Sequence, residues 1–319
     1  MNNTLLNALK AAREGLAERL DSMTLPAEIP HGDMPGDKVL ITESHVAKAK
    51  TILPALVDKM IAALENKPLQ RCVLSVCGGS GVGKSETASL LGWYLGQLGA
   101  KSYILSGDNY PHRIPEYNDA ERLRVFRDTG LKGLVAAGLH TAQVSEQLHQ
   151  LMEEDKDADL CAEYGWLSAY QAAGRRGLKG YLGTPNEIDF DRVNSIIAQF
   201  QAGAEQISLK RMGRRPSELW AETVDFSETS VLIIEWTHSN NDHLAGVDLP
   251  VLLNSTPAET MAHRRERNRD GKVDSPFTTM VLEIEQGLLA SQAHKAAVIL
   301  SKSGELLSYA EYQALMANA

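Results

Sequence analysis

Short apolar runs alternate along most of the chain with longer stretches in which apolar residues recur at helical spacing. The short runs predict buried strands at Cys72–Cys77, Ser102–Ser106, Ser230–Glu235, Leu249–Leu253 and Ala296–Leu300. The longer stretches predict helices at residues 84–99, 118–128, 142–155, 188–202, 257–268 and 277–292. Strands that alternate with helices are typical of a parallel sheet covered by helices. The pattern therefore predicts an α/β fold.

Two further helices are predicted ahead of the first strand, at residues 3–21 and 44–66, with a Pro- and Gly-containing loop at 22–40 between them. We expect residues 1–68 to form an N-terminal helical extension packed on the core and residues 69–319 to form the main domain. Residues 155–185 show no clear periodicity, and we assign about 140–185 to a helical insert.

The first predicted strand runs into Gly78–Ser85, which matches the phosphate-binding loop pattern G-x-x-x-x-G-K-[ST]. Its glycines allow a tight turn that aims backbone N–H groups inward. Lys84 can reach the β- and γ-phosphates of a nucleotide, and the Ser85 hydroxyl can ligate Mg²⁺. The predicted nucleotide contacts are Gly78, Gly79, Ser80, Gly81, Val82, Gly83, Lys84, Ser85 and Glu86.

Asp108 follows the second predicted strand, which we expect to lie beside the strand of the phosphate-binding loop. Ligand sites of open α/β sheets lie at the carboxyl ends of the strands. A carboxylate there can accept the proton of an acceptor hydroxyl, or it can hold Mg²⁺ directly or through water. The alternative is that Asp108 belongs to an ordinary turn.

Glu235 ends the third predicted strand, where an acidic residue can organise Mg²⁺ and its waters. A solvated strand end is the alternative. His238 follows shortly afterwards and is a candidate substrate contact, although a satisfied polar residue would look the same in sequence.

Four arginines lie within residues 264–269, after the fourth predicted strand. Runs of charge are usually solvated faces. Beside a phosphate-transfer site, however, guanidinium groups on a mobile lid can neutralise the transferring phosphoryl group and exclude water. We therefore predict a lid at about 262–275, in which not all four arginines would reach the phosphates.

Composition and charge narrow the class of protein. Hydrophobic residues make up 43% and charged residues 23%, as in ordinary soluble globular proteins. The net charge of −9 argues against a general nucleic-acid or membrane-surface binder. Three cysteines form no disulfide framework, and no run resembles a signal peptide or a membrane span, so we expect a cytoplasmic protein.

Residues 70–300 carry an ordered series of motifs that resembles the uridine kinase and phosphoribulokinase family of P-loop kinases. The motifs are Gly78–Ser85, Ser106-x-Asp108-x-Tyr110, Pro185-x-x-Ile188-Asp189-Phe190-Asp191, Val231–Glu235, Leu252–Thr260, the arginines of 264–269 and the late strand at 294–299. The resemblance implies a mononucleotide kinase-like P-loop NTPase fold of three layers. It also implies ATP- and Mg²⁺-dependent transfer of the γ-phosphate to a hydroxyl of a small metabolite, which can be a nucleoside, a sugar, or a sugar phosphate or acid. Asp108 matches the family's base, and Arg264, Arg265 and Arg269 fall in the family's lid region as catalytic candidates.

The chain departs from that family at the predicted acceptor site. Trp236 stands where the family usually has Gly, and residues 208–215 lack the Pro-x-Tyr-Asp element through which uridine kinases reach their nucleoside. Residues 107–113 instead resemble the phosphoribulokinase run Gly-Asp-x-Phe-His-Arg with one residue inserted, which favours an anionic sugar phosphate. The predicted substrate contacts are Tyr110, His112, Arg113, Arg211 and His238, and Arg175, Arg176 and Arg214 could add to an anion-binding site.

Three other functions stay open at this point: a regulatory ATPase without a small-molecule acceptor, a nucleotide-binding relic without turnover, and an adenylylsulfate kinase. An acceptor base and a lid favour a kinase over a regulatory ATPase. The retained Lys84, Ser85, Asp108 and Glu235 argue against a relic. The sequence does not identify the acceptor, and a homodimer is a reasonable expectation.

Overall fold

The computed structural model describes residues 4–36, 38–159, 164–256, 259–260 and 275–317. Its strands are β1 (Cys72–Gly78), β2 (Ser102–Ser106), β3 (Gln206–Met212), β4 (Leu219–Asp225), β5 (Val231–Glu235), β6 (Leu249–Leu253), β7 (Val298–Leu300) and β8 (Leu306–Leu307). Its helices of eight or more residues are α1 (Thr4–Arg13), α3 (Glu43–Glu65), α4 (Lys84–Gln97), α5 (Pro115–Ala136), α6 (Ala142–Glu153), α7 (Leu167–Lys179), α8 (Phe190–Gln201), α9 (Pro276–Gln292) and α10 (Tyr309–Ala317). The short α2 spans Leu16–Ser22.

The main sheet has the strand order β2-β5-β1-β6-β7-β8, and every pair is parallel except the last, β7 with β8. Alternate residues of its central strands face two separate cores. Ile233 of β5 packs with α3 and α4 in one core, whereas Ile234 packs with α8 in the other. The predicted α/β fold with three layers and a parallel sheet is confirmed.

The order of the strands differs from our expectation at one place, because β5 lies between β1 and β2. Val76 of β1 and Ser106 of β2 are both register partners of Glu235. All five residues of β5 are buried, whereas the first two of β2 are partly exposed. A strand that is apolar on both faces suits the middle of a sheet, so β5 takes the central place and β2 the edge.

The N-terminal helices share a core with the main sheet. Leu9 of α1 and Leu56 of α3 are fully buried in the same cluster as Leu74 of β1 and Leu91 of α4. The predicted helix at 3–21 is interrupted where Gly15 adopts a φ of +68°. The boundary at residue 68 stays a prediction.

An antiparallel hairpin of β3 and β4 was not predicted from the sequence. Most of β4 is exposed, so its residues do not form the apolar run or the clean alternation that marks a buried strand. None of the helices in the described ranges is long and apolar enough to cross a membrane.

Candidate active site

The phosphate-binding loop connects β1 to α4. At Gly78 the chain turns with φ +152°, and a Cβ there would lie 2.6 Å from the carbonyl oxygen of Leu253, so only glycine fits. Gly83, with φ +94°, is the N-cap of α4, which begins at Lys84. The first N–H groups of a helix have no partner within the helix, and together with the helix dipole they favour anions. The loop therefore has the geometry expected of a phosphate site.

Oxygen ligands for a cation lie directly beside this loop. The Ser85 hydroxyl donates to Glu235 Oε1 at 3.1 Å, and the Ser106 hydroxyl lies 3.5 Å from Glu235 Oε2. Lys84 folds over the loop, with its Nζ 3.1 Å from the carbonyl oxygen of Gly79. Within the described residues no group of three or more His, Cys, Asp or Glu side chains could hold a metal. Mg²⁺ in phosphate-transfer sites needs only one or two protein oxygens because phosphates and waters supply the rest, so Ser85 and Glu235 fit this ion.

A cavity of about 600 Å³ opens next to the loop. Ser80 of the loop and Asp108 both line it, and Asp108 is exposed. Asp108 lies in a short 3₁₀ helix, Gly107–Asn109, that directly follows β2. Because β1, β5 and β2 run parallel, the loop, Glu235 and Asp108 all lie at the carboxyl ends of these strands. The structure thus brings the predicted phosphate, metal and base residues together.

A buried ion-pair network that was not predicted lines the same cavity. The Arg122 Nε lies 2.6 Å from Glu187 Oε1, and its Nη2 lies 3.6 Å from Glu285 Oε1. Burial alone raises the pKa of Glu187, but the Arg122 guanidinium, helped by the Gly183 N–H, acts in the opposite direction, and the pKa is lowered. Burial raises the pKa of Glu285 despite Arg122. The Arg122 Nη1 also lies 3.5 Å from the exposed Asp119 Oδ1, so Arg122 contacts three carboxylates in the wall of the cavity.

His238, a predicted substrate contact, also lines the cavity and is 8% exposed. Its ring packs edge-on against Trp236. Burial lowers the pKa of His238 to about 4, although the Glu187 carboxylate acts in the opposite direction. The imidazole is therefore neutral at physiological pH.

Because His238 is buried in its neutral form, the free energy of unfolding should depend on pH. Its ordinary pKa is 6.5 and its folded pKa is about 4, so the unfolded chain binds the proton more tightly. The contribution of neutral His238 to the free energy of unfolding is fully present above about pH 6.5 and is lost as the pH falls toward 4. Between about pH 7.5 and about pH 4.5 the wild type should lose about 2–3 kcal/mol more unfolding free energy than His238→Gln. Urea titrations at the two pH values test this, with exposed His243→Gln as the control; equal losses in wild type and His238→Gln would contradict it.

Three of the predicted substrate contacts lie away from the cavity lining. The Tyr110 ring is fully buried in the core that contains α8. The His112 Nε2 contacts the carbonyl oxygen of Pro185 at 2.9 Å, and the Arg113 guanidinium donates to the Tyr181 hydroxyl at 3.0 Å. These contacts tie the 110–113 segment to the 181–187 turn.

Arg211 also lies outside the cavity lining, and ion pairs hold its buried side chain in place. It is 5% exposed, and its guanidinium lies 2.8 Å from Asp33 and 3.0 Å from Glu222. Asp33 also accepts from the Ser106 N–H, so the pair fixes the N-terminal loop to the end of β2. Arg214, three residues further on, does line the cavity.

The remaining basic candidates lie elsewhere. Arg175 pairs with Glu283 on the surface, and Arg176 is exposed. Arg264, Arg265 and Arg269 lie outside the described residues, so the lid at 262–275 stays a prediction.

Comparisons with known proteins return kinases. Over 251 residues, 79% of this chain, it is 39% identical to the bifunctional alpha-galactosidase/sucrose kinase AgaSK of Mediterraneibacter gnavus. The chain spans only 22% of the length of that relative. No family model matches the chain.

Solved structures with related names are more distant. A protein of Silicibacter sp. TM1040, provisionally named a fructose transport system kinase, is 17% identical with a TM-score of 0.42, covering 77% of this chain and 93% of its own. A protein of Bacillus stearothermophilus, provisionally named a uridine kinase, is 15% identical with a TM-score of 0.38, covering 76% of this chain and 98% of its own. The sequence similarity to AgaSK agrees with the kinase resemblance of the motifs.

Proposed function

We propose that the protein is an ATP-dependent kinase that transfers the γ-phosphate to a hydroxyl group of a small metabolite. The observation that carries this proposal is the shared cavity: Ser80 of the phosphate-binding loop and Asp108 line the same space. The loop amides and Lys84 would bind the β- and γ-phosphates. Asp108 would orient the acceptor hydroxyl and accept its proton as the phosphoryl group is transferred. A regulatory ATPase would have no use for this arrangement.

Mg²⁺, held by Ser85 and Glu235, would neutralise charge on the β- and γ-phosphates. Glu235 is 4% exposed, and both of its carboxylate oxygens lie near serine hydroxyls, so its position is fixed before any cation binds.

The similarity to AgaSK supports the kinase assignment in a specific way. Its name gives two activities, and the matched segment is 22% of its length. Of these activities, only the sucrose kinase has a use for a phosphate-binding loop such as Gly78–Ser85. We therefore assign the matched segment to the kinase part of that relative.

The charges in the described part of the cavity favour an uncharged acceptor over the anionic sugar phosphate that Arg113 suggested. Acidic lining residues outnumber basic ones, and Arg122 is already paired with Asp119, Glu187 and Glu285. The acidic members are Asp108, Asp119, Asp155, Glu187 and Glu285, and the basic members are Arg122 and Arg214. Carboxylates accept hydrogen bonds from sugar hydroxyls but repel phosphate. We propose a neutral sugar as acceptor, with sucrose as the first to test.

An acceptor panel tests this function. We expect ADP release from ATP and Mg²⁺ to be stimulated at least about tenfold by one neutral mono- or disaccharide, because the cavity is acidic. The panel includes the matching sugar phosphates, sugar acids, uridine and cytidine, and Lys84→Met is the control for ATP-dependent turnover. Stimulation by a sugar phosphate or by a nucleoside alone would contradict the proposed acceptor. ADP release that no acceptor stimulates would favour the regulatory ATPase.

Cytoplasmic location is part of this proposal, since ATP is available there and the cysteines in the described residues, Cys72 and Cys77, are unpaired and buried. A homodimer stays a prediction.

A further inference from the structure

Helix α3 of the N-terminal extension contacts the phosphate-binding loop through Lys48. The Lys48 side chain is 7% exposed, and its Nζ donates a long hydrogen bond of 3.4 Å to the carbonyl oxygen of Val82. Burying an ammonium group costs free energy unless it has polar partners. Burial, followed by the charge of Lys302, lowers the pKa of Lys48. The position of this lysine at the loop therefore calls for a physical explanation.

The planarity of the peptide bond links this contact to phosphate binding. Val82 C=O and Gly83 N–H belong to one trans peptide plane, in which the two bonds point in opposite directions. Because the Val82 carbonyl faces Lys48, the Gly83 N–H is turned away from α3. If this plane rotated, the carbonyl oxygen would face the place where the loop binds anions, and the N–H would be lost to the site.

His45, one turn before Lys48, restricts the next residue of the loop. A Cβ on Gly83 would lie 2.9 Å from the His45 Cδ2 and Nε2. The ring is itself fixed, because its Nδ1 accepts from the Thr42 N–H at 3.2 Å in the capping box of α3. The loop therefore cannot shift toward α3 at Gly83.

The helix that carries both side chains is firmly anchored. Ile52, Leu53 and Leu56 of α3 are fully buried in the core that α3 shares with α4. A side chain on such an element keeps its position more precisely than one on a loop.

We propose that Lys48 is a positioning residue for nucleotide binding, which holds the Val82–Gly83 peptide with its N–H directed at the phosphates. This inference rests on the nucleotide-binding part of the proposed function and adds a role for the N-terminal extension in it.

Affinities for ADP and adenosine test the inference, since adenosine lacks the phosphates. Lys48→Met keeps the apolar stem and removes the donor. With Mg²⁺ present, we expect calorimetry to show ADP affinity about tenfold weaker and adenosine affinity within about twofold of wild type. Lys59→Met, an exposed lysine on the same helix, is the matched control and should change neither affinity. Lys48→Arg keeps the charge and the donor, and should bind ADP within about threefold of wild type.

Kinetics add a second readout. The KM for ATP should rise about tenfold in Lys48→Met while kcat changes by less than about threefold, because ground-state and transition-state binding are weakened alike. The inference is overturned if Lys48→Met binds ADP as tightly as wild type, or if ADP and adenosine lose affinity by the same factor. Lys48→Gln is judged by the same criteria if Lys48→Met does not fold. Wild-type protein that binds neither ADP nor ATP would instead refute the proposed function.

Discussion

Replacing Asp108 with Asn is expected to lower kcat about 10³-fold while ATP affinity changes by less than about twofold, as for loss of a general base. The amide keeps the shape of the side chain but cannot accept the proton of the acceptor hydroxyl. Asp108 lies in the cavity that Ser80 also lines, so the change is made between the two expected substrates. The measurement is turnover with the stimulating sugar, together with ATP affinity by calorimetry.

Asp119→Asn is the matched control, since this exposed carboxylate lines the same cavity from α5. Its turnover should stay within about threefold of wild type, because a charge at the rim of a site mainly affects the rate at which the ligand associates. Asp108→Asn with wild-type turnover would show that Asp108 is not the base. Equal losses in both variants would assign the effect to the charge of the cavity instead.

Replacing Arg122 with Met is expected to lower the free energy of unfolding by about 3–5 kcal/mol, since breaking a buried ion pair leaves an uncompensated charge. Glu187 is the carboxylate that this loss affects most, because its side chain is only 1% accessible and its Oε1 lies 2.6 Å from the Arg122 Nε. Urea denaturation of the full chain measures the change.

Arg124→Met on the same helix is the control, because Arg124 is 61% exposed and pairs only with Glu121 in the described contacts. It should cost less than about 1 kcal/mol. The double variant Arg122→Met/Glu187→Gln should recover part of the loss, because the glutamine removes the buried charge of Glu187. A loss below about 1 kcal/mol in Arg122→Met would show that the network does not stabilise the fold.

The sequence predicted the parts of the fold in which local pattern and burial agree. β1, β5 and β6 are continuous apolar runs because both faces of a parallel sheet are covered. The β3–β4 hairpin was missed because β4 is mostly exposed, so its residues lack the apolar pattern from which a buried strand can be predicted. The place of β5 between β1 and β2 is set by pairing between distant segments, which periodicity does not report.

The same distinction holds for the candidate site. Lys84 and Ser85 belong to one short motif whose mechanics can be worked out from spacing, and Glu235 ends a recognisable strand. Arg122 and Glu187 come from elements 65 residues apart, and neither lies in a motif that marks it as a partner. Glu187 and Asp189 flank Ile188, and nothing in this local pattern indicates which of the two carboxylates is buried.

The strand order described above sets the separation between the two halves of the candidate site. Neighbouring strands lie about 4.8 Å apart, so β1 and β2, with β5 between them, are separated by roughly 10 Å. Glu235, in β5, lies between the two. In the proposed kinase the sheet would therefore set the distance between the phosphate-binding loop and Asp108 before either substrate binds. Different acceptors could then be accommodated by changes in the cavity wall alone, with the reaction distance unchanged.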